Sequence, residues 1–172
     1  MRAVAAELGV EAMSLYWHVP GKEALLDGVV ELVLREVESE QGAAASWPEA
    51  FLAFGHTFRG VLLRHPRAVQ LLVGRPLGAY TAAAASAERA LALLGAAGFD
   101  RQTSVRAVRT MVRFVVGSTL LEFGAAQAPP APRETPALAD LVEALQSDDP
   151  DAPMTFRLQT MIDGLELRLR RA

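Results

Sequence analysis

The sequence predicts an all-α fold. Alanine and leucine dominate, β-branched residues rarely alternate with polar ones, and no pair of alternating segments flanks a hairpin turn. Apolar residues recur instead at helical spacing, in short segments first and long ones later.

The first helix covers residues 1–8, and Gly9-Val10 breaks it. A second, short helix runs from Glu11 to His18, and Pro20-Gly21 stops the chain before a third begins near Lys22. In that third helix Leu26, Val30, Val33 and Val37 form one stripe, widened by Leu25, Val29 and Leu32. Gly42–Ser46 reads as a joint. Ser46 then caps a helix over 48–65, with Pro48 in its first turn and Phe51, Phe54, Phe58 and Leu62 at helical spacing. His65-Pro66 ends it. A short helix over 67–73 stops at Gly74-Arg75-Pro76, and another covers 77–97 and ends at Gly98. Asp100 caps a helix over 101–126 whose stripe is Val105, Val108, Val112, Val115 and Thr119. Residues 127–136 hold four prolines and predict a loop. A short helix over 137–146 and an acidic turn, Ser147–Pro153, precede the last helix, 154–171. Its Arg168, Arg170 and Arg171 suit the negative end of the helix dipole.

Composition narrows the function classes. With 51% hydrophobic residues in a chain of 172, a sizeable core forms. The absence of cysteine excludes disulfides, thiolate metal sites and cysteine nucleophiles. Apolar stretches are interrupted by Arg109, Arg113 or Glu122 too early to span a bilayer, which predicts a cytoplasmic protein. The formal charge of −3 argues weakly against nucleic-acid binding by the whole chain. In residues 1–40, Arg2, Lys22 and Arg35 face eight acids, but most of those follow Lys22; within residues 1–22 Arg2 and Lys22 balance Glu7 and Glu11.

Chemistry-bearing patterns are few. His56 and His65 lack a carboxylate at ligand spacing, and Asp148, Asp149 and Asp151 lie among prolines without a calcium-loop pattern. No nucleophile elbow, phosphate loop or dinucleotide glycine motif is present, so the sequence predicts no catalytic residues, no metal, no cofactor and no enzyme. The informative constellation is Val4, Ala5, Leu8, Gly9, Val10, Leu15 and Val19. Two short crossing helices need a small residue at their contact, here Ala5, and a glycine free to take positive φ at the turn, here Gly9. Val4, Leu8, Val10 and Leu15 are expected to close the small core between them. The second helix is then free to enter a major groove. An ordinary helical corner within a bundle has the same spacing.

The run Leu15-Tyr16-Trp17-His18-Val19 followed by Lys22-Glu23-Ala24-Leu25-Leu26-Asp27 resembles the recognition helix and the next helix of the TetR (tetracycline repressor) family. The resemblance continues through Ser46-Trp47, Phe58-Arg59, Leu62-Leu63, Gly74-Arg75-Pro76, Gly98-Phe99 and Gly164-Leu165-Glu166, and includes that family's C-terminal domain. It implies an N-terminal helix-turn-helix head, with its first helix missing from this sequence, on a larger helical effector-binding and dimerisation bundle. Residues 1–40 would be the partial head with its connecting helix, and residues 41–172 the ligand-binding and dimerisation domain.

By that resemblance the chain is a ligand-responsive repressor whose partners are operator DNA, a small-molecule effector and a second copy of itself. Ala12, Met13 and Ser14 would face bases; Tyr16, Trp17 and His18 the backbone and groove wall; Lys22 a phosphate; Arg2 a base or phosphate. From packing alone, Trp17 is instead expected beneath the following helix. Phe54, Phe58, Leu62, Met111, Phe114 and Leu121 would line an apolar effector cavity, with Arg75, Pro76 and Glu122 as its polar or turn elements. Where tetracycline repressors hold a magnesium–drug chelate with asparagine, histidine and glutamine, this sequence has Phe54, Leu71 or Leu72, and an alanine. A single glutamate does not hold a hard cation, so the expected ligand is hydrophobic or polycyclic. The helices over 101–126 and 154–171 would form the dimer seam, through Val112, Val115, Val116, Ile162, Leu165 and Leu169. Arg106, Arg109 and Arg113 would form a solvated or intersubunit ion-pair stripe. The competing reading is a truncated ligand-binding and dimerisation module without DNA binding.

Overall fold

The computed structural model describes residues 1–125 and 151–171, and every described element is helical. The order is α1 (Arg2–Glu7), α2 (Ala12–His18), α3 (Lys22–Glu40), α4 (Trp47–Arg64), α5 (Pro66–Leu72), a 3-10 turn (Leu77–Ala79), α6 (Thr81–Ala96), α7 (Arg101–Ala125) and α8 (Ala152–Leu169). The predicted loop over 127–136 and short helix over 137–146 lie outside the described residues, as does the first part of the acidic turn.

α4 is the hub of the body, with α3, α5, α6, α7 and α8 packed around it. Its start follows from local chemistry. The Ser46 hydroxyl accepts from the Glu49 N–H, and the Glu49 carboxylate reaches back to the Ala45 N–H at 2.8 Å, so the two side chains satisfy amides on both sides of the helix start. Next to this cap Trp47 is buried between Phe51 and Phe99, meeting both rings edge to face at 5.7 and 5.3 Å. Farther along, Phe58, Val61 and Leu62 are almost fully buried and join Val30, Val69, Leu94, Met111, Val115, Leu158 and Ile162 in one core. Each such side chain contributes roughly 1.5–3 kcal/mol of burial.

Gly55 explains how α8 approaches so closely. A Cβ at this position would lie 2.5 Å from a methyl of the buried Leu158 side chain, so any larger residue would force that leucine to shift from its seat against the α4 backbone. At the other end of the chain, Gly9 takes φ +65° between α1 and α2, a conformation that favours glycine.

Three expectations are corrected. The helix expected from 77 begins at Thr81, because a single 3-10 turn comes first and Tyr80 then holds extended backbone. The final helix starts two residues early, at Ala152, with Pro153 in its first turn, where a missing N–H costs nothing. The buried stripe of α7 is Ser104, Ala107, Met111, Val115 and Thr119: Val115 and Thr119 lie inward as expected, Val108 and Val112 are only half-buried, and Val105 is exposed. Ser104 and Thr119 enter it because their hydroxyls donate to the carbonyls of Asp100 and Val115 within the helix. No described helix is long and apolar enough to cross a membrane.

Candidate functional site: an exposed helix pair and its attachment to the body

α1 and α2 pack on each other through Ala5, which is buried, with Val4 and Leu15 partly covered. Leu8 and Val10, expected in this small core, are instead 62% and 45% exposed on either side of the Gly9 turn. The outward surface of α2 is apolar and aromatic. Met13, Tyr16 and Trp17 are exposed, Trp17 at 85%, so the indole does not pack beneath α3. Arg2, Ser14, His18 and Lys22 are exposed as well, and Ala12 is half-buried. The Ser14 hydroxyl donates to the Glu11 carbonyl at 2.7 Å, which fastens the start of α2. Of the residues expected to face DNA, Met13, Ser14, Tyr16, Trp17 and His18 are thus exposed on α2, while Arg2 is exposed on α1 and Lys22 at the start of α3.

α3 carries this pair and lies against the body. Val30, Val33, Leu34 and Val37 bury its inner stripe. Its acidic residues, which made the N-terminal stretch look unsuited to DNA, meet cations and donors of the body. Arg75 holds Asp27 and Glu23, each at 3.0 Å, and its remaining nitrogen donates to the Leu71 carbonyl at 3.0 Å. The Tyr80 hydroxyl donates to Asp27 at 2.8 Å, and the Thr81 N–H to Glu31 at 3.1 Å. Glu36 accepts from Arg64 and meets His65 Nε2 at 2.7 Å; Glu40 also accepts from Arg64, and Glu38 pairs with Arg89 at 3.1 Å. These contacts shift titration. The Arg75 guanidinium, with help from the Tyr80 hydroxyl, holds the Asp27 carboxyl below the usual carboxylate range; Arg64 and then His65 do the same for Glu36. Burial raises the Tyr80 phenol, and its bond to Asp27 raises it further, so it stays a donor.

The nine residues expected around an effector separate into groups. Phe54, Phe58, Leu62, Met111 and Phe114 belong to the α4–α7 apolar core or pack against it, with the rings of Phe54 and Phe58 5.4 Å apart. Arg75 and Pro76 sit at the end of α5, with Arg75 turned to α3. Glu122 meets Arg59 at 3.0 Å, and Arg59 also binds Asp151 at 2.6 Å, joining α4, α7 and the start of α8. Leu121 is 74% exposed: two residues past buried Thr119, it lies on nearly the opposite side of α7 and lines no interior space of the protomer. Sequence reasoning did not foresee the Arg59 centre or the α3 pairings, whose partners lie 24 to 92 residues apart. His56 and His65, which have no carboxylate at ligand spacing in the sequence, meet Thr155 and Glu36 in the fold.

The outer faces of α7 and α8 border a shallow groove of about 400 Å³ lined by Thr103, Arg106, Ala107, Thr110, Met161 and Leu165 among others. Val115, Val116 and Ile162, expected at a seam between copies, are buried inside the protomer; the apolar residues these helices expose are Val105, Leu121, Phe156 and Leu167. Arg106, Arg109 and Arg113 are exposed.

Comparison with known proteins places these features in context. Residues 40–169 match the family described as tetracyclin repressor-like, C-terminal domain. An HTH-type transcriptional regulator of Saccharopolyspora erythraea is 39% identical over 122 residues, covering 71% of this chain; the match spans about half (51%) of that regulator's length. A solved single-substitution variant of TetR from Acinetobacter baumannii AYE, in complex with minocycline, is 32% identical with a TM-score of 0.81, over 99% of this chain and 84% of that one. The Streptomyces coelicolor TetR family protein ActR, in complex with actinorhodin, is 26% identical with a TM-score of 0.75, over 98% of this chain and 87% of its own.

Proposed function

The chain belongs to the tetracycline repressor-like family, and from that premise we propose that it is a dimeric, cytoplasmic transcriptional repressor, released from operator DNA by a small hydrophobic molecule. Residues 1–40 serve as the DNA-reading head with its connecting helix, and residues 41–172 bind ligand and pair two subunits. The observation that carries this reading is the exposed face of α2, with Met13, Tyr16 and Trp17 outward, mounted on a helix whose other attachments all go to the body. A surface of that kind has no packing role within the protomer, and its dimensions suit a major groove.

Each head residue has a matching role. Ala12 and Met13 pack on thymine methyls, Ser14 and Tyr16 offer hydroxyls, Trp17 and His18 lie along the groove wall, and Lys22 and Arg2 supply cations. The effector enters the apolar α4–α7 region around Phe54, Phe58, Leu62, Met111 and Phe114, with Glu122 toward its outer end. The minocycline and actinorhodin bound by the solved relatives support a ligand of this kind. Arg75 and Pro76 link that region to α3. A ligand that favours one setting of the α5–α6 turn shifts the population of α3 positions, and two heads so moved no longer match successive major grooves. Two-fold pairing runs through the outer faces of α7 and α8, where Val105, Leu121, Phe156 and Leu167 await cover.

Selection of duplexes from a random-sequence library by the purified chain tests this reading. The expected result is a pseudo-palindromic duplex whose log affinity falls linearly with log salt. Failure to enrich any duplex at low salt and without ligand would overturn it.

A further inference from the structure

We propose that Arg75 is an electrostatic shield for the DNA-reading head: it neutralises Glu23 and Asp27, and its withdrawal lets those carboxylates repel the phosphate backbone. The inference rests on the DNA-binding reading above and adds the means by which a movement in the body becomes a loss of affinity.

The head has no cationic surplus to absorb extra negative charge, since Arg2 and Lys22 only balance Glu7 and Glu11. Glu23 directly follows Lys22, and Asp27 lies one helical turn farther, about 6 Å along the axis. Their side chains are 78% and 52% exposed, so both are open to the solvent that a bound duplex would occupy. A phosphate held by Lys22 would lie within roughly one screening length, 8–10 Å, of both.

What offsets these carboxylates comes from the body. One guanidinium, on the turn after α5, meets both at 3.0 Å while its own side chain is only 19% exposed. Its third bond, to the Leu71 carbonyl, ties it to the last turn of α5. A shift of that turn therefore breaks both pairs together. Tyr80 donates to Asp27 but carries no charge to replace the lost cation. The acids deeper along α3 have their own partners and sit farther from the head, with Glu31 bonded to Arg35 and the Thr81 N–H, and Glu36, Glu38 and Glu40 to α4, α6 and His65. The α3–body contact thus runs along an apolar stripe from Val30 to Val37 flanked by polar pairs, while at the end that carries the head Arg75 is the cation that meets both carboxylates.

A shield and a mechanical latch make opposite predictions for the acidic partners. If the pairs merely hold α3 in place, removing the carboxylates damages binding as removing Arg75 does. If Arg75 shields, removing them leaves nothing to repel. Arg75→Gln, the double variant Glu23→Gln/Asp27→Asn, and the triple variant are titrated by anisotropy against a labelled duplex selected by the unaltered chain. Arg75→Gln is expected to bind about tenfold more weakly at about 50 mM salt, with the deficit shrinking by about 200 mM. The double variant should bind at least as tightly as the parent, and the triple variant should return to within about threefold of it. Weakened binding by the double variant, or an unaffected Arg75→Gln, would overturn the shield while leaving the repressor reading intact. Failure of the parent chain to select any duplex would instead remove the DNA-binding reading and the shield with it.

Discussion

Arg59 is a buried cation on the helix that supplies much of the apolar core, and its environment decides its worth. The residue is 9% exposed, while the carboxylates that neutralise it, Glu122 and Asp151, keep 31% and 58% of their side-chain surface in solvent. Truncating one member of a buried pair leaves the other uncompensated, which costs about 3–5 kcal/mol when both are fully enclosed. Solvent on the acidic side reduces that here, so Arg59→Ala is expected to lower unfolding stability by roughly 2–3 kcal/mol. A urea titration checks it: the midpoint should fall with an unchanged slope, and a shift under about 0.5 kcal/mol would show the pair to be idle. Part of this centre was legible in the sequence. Phe58-Arg59 carried the family resemblance and Glu122 was singled out, but their meeting was not, since 63 positions separate them and charge type alone does not select one partner among many. Trp17 shows the opposite difficulty. A tryptophan at the end of a short helix suggests a buried anchor, and only the fold shows that the ring stands free in solvent.

Among the elements, α3 has the most mixed attachment, an apolar stripe beside a row of carboxylates. Its stripe of Val30, Val33 and Val37 was readable from periodicity; which cations the acids meet was not, because those come from three other elements. The pairing has a pH signature. Asp27 and Glu36 both titrate below the usual carboxylate range when folded, so the unfolded chain takes up their protons first on acidification. The stability they contribute is therefore complete above about pH 5 and is lost as the pH falls through about 4 and below. The urea midpoint should hold level from about pH 7 to about pH 5 and then decline, and Asp27→Asn/Glu36→Gln should have a shallower acid limb. An identical limb in that variant would mean the pairs add nothing. α7 teaches a related lesson: Val115 and Thr119 lie inward as periodicity predicts, but Ser104, Ala107 and Met111 take the inner positions expected of Val105, Val108 and Val112, and the Ser104 and Thr119 hydroxyls are satisfied by carbonyls four residues back.

At the scale of the whole molecule, the order of short helices, joint and long helices was legible because each break is a local event: a glycine at positive φ, a proline, a serine cap. The packing of every later element around α4 was not, nor was the inward turn of Val115, Val116 and Ile162, since a helix apolar on two sides does not declare which side its own chain covers. The two tryptophans divide between the two ends of this arrangement, Trp17 open to solvent on α2 and Trp47 enclosed by Phe51 and Phe99. Intrinsic fluorescence should therefore resolve into a long-wavelength component that iodide quenches and a shorter-wavelength one that it does not reach. Addition of a bound duplex should protect the first alone, while denaturant should red-shift the second. If iodide dims both components equally, the two indoles do not occupy the separate environments described, and a Trp17→Phe substitution would tell which emission belongs to the body. One cuvette then reports occupancy of the head and integrity of the body as two separate colours, without any label attached.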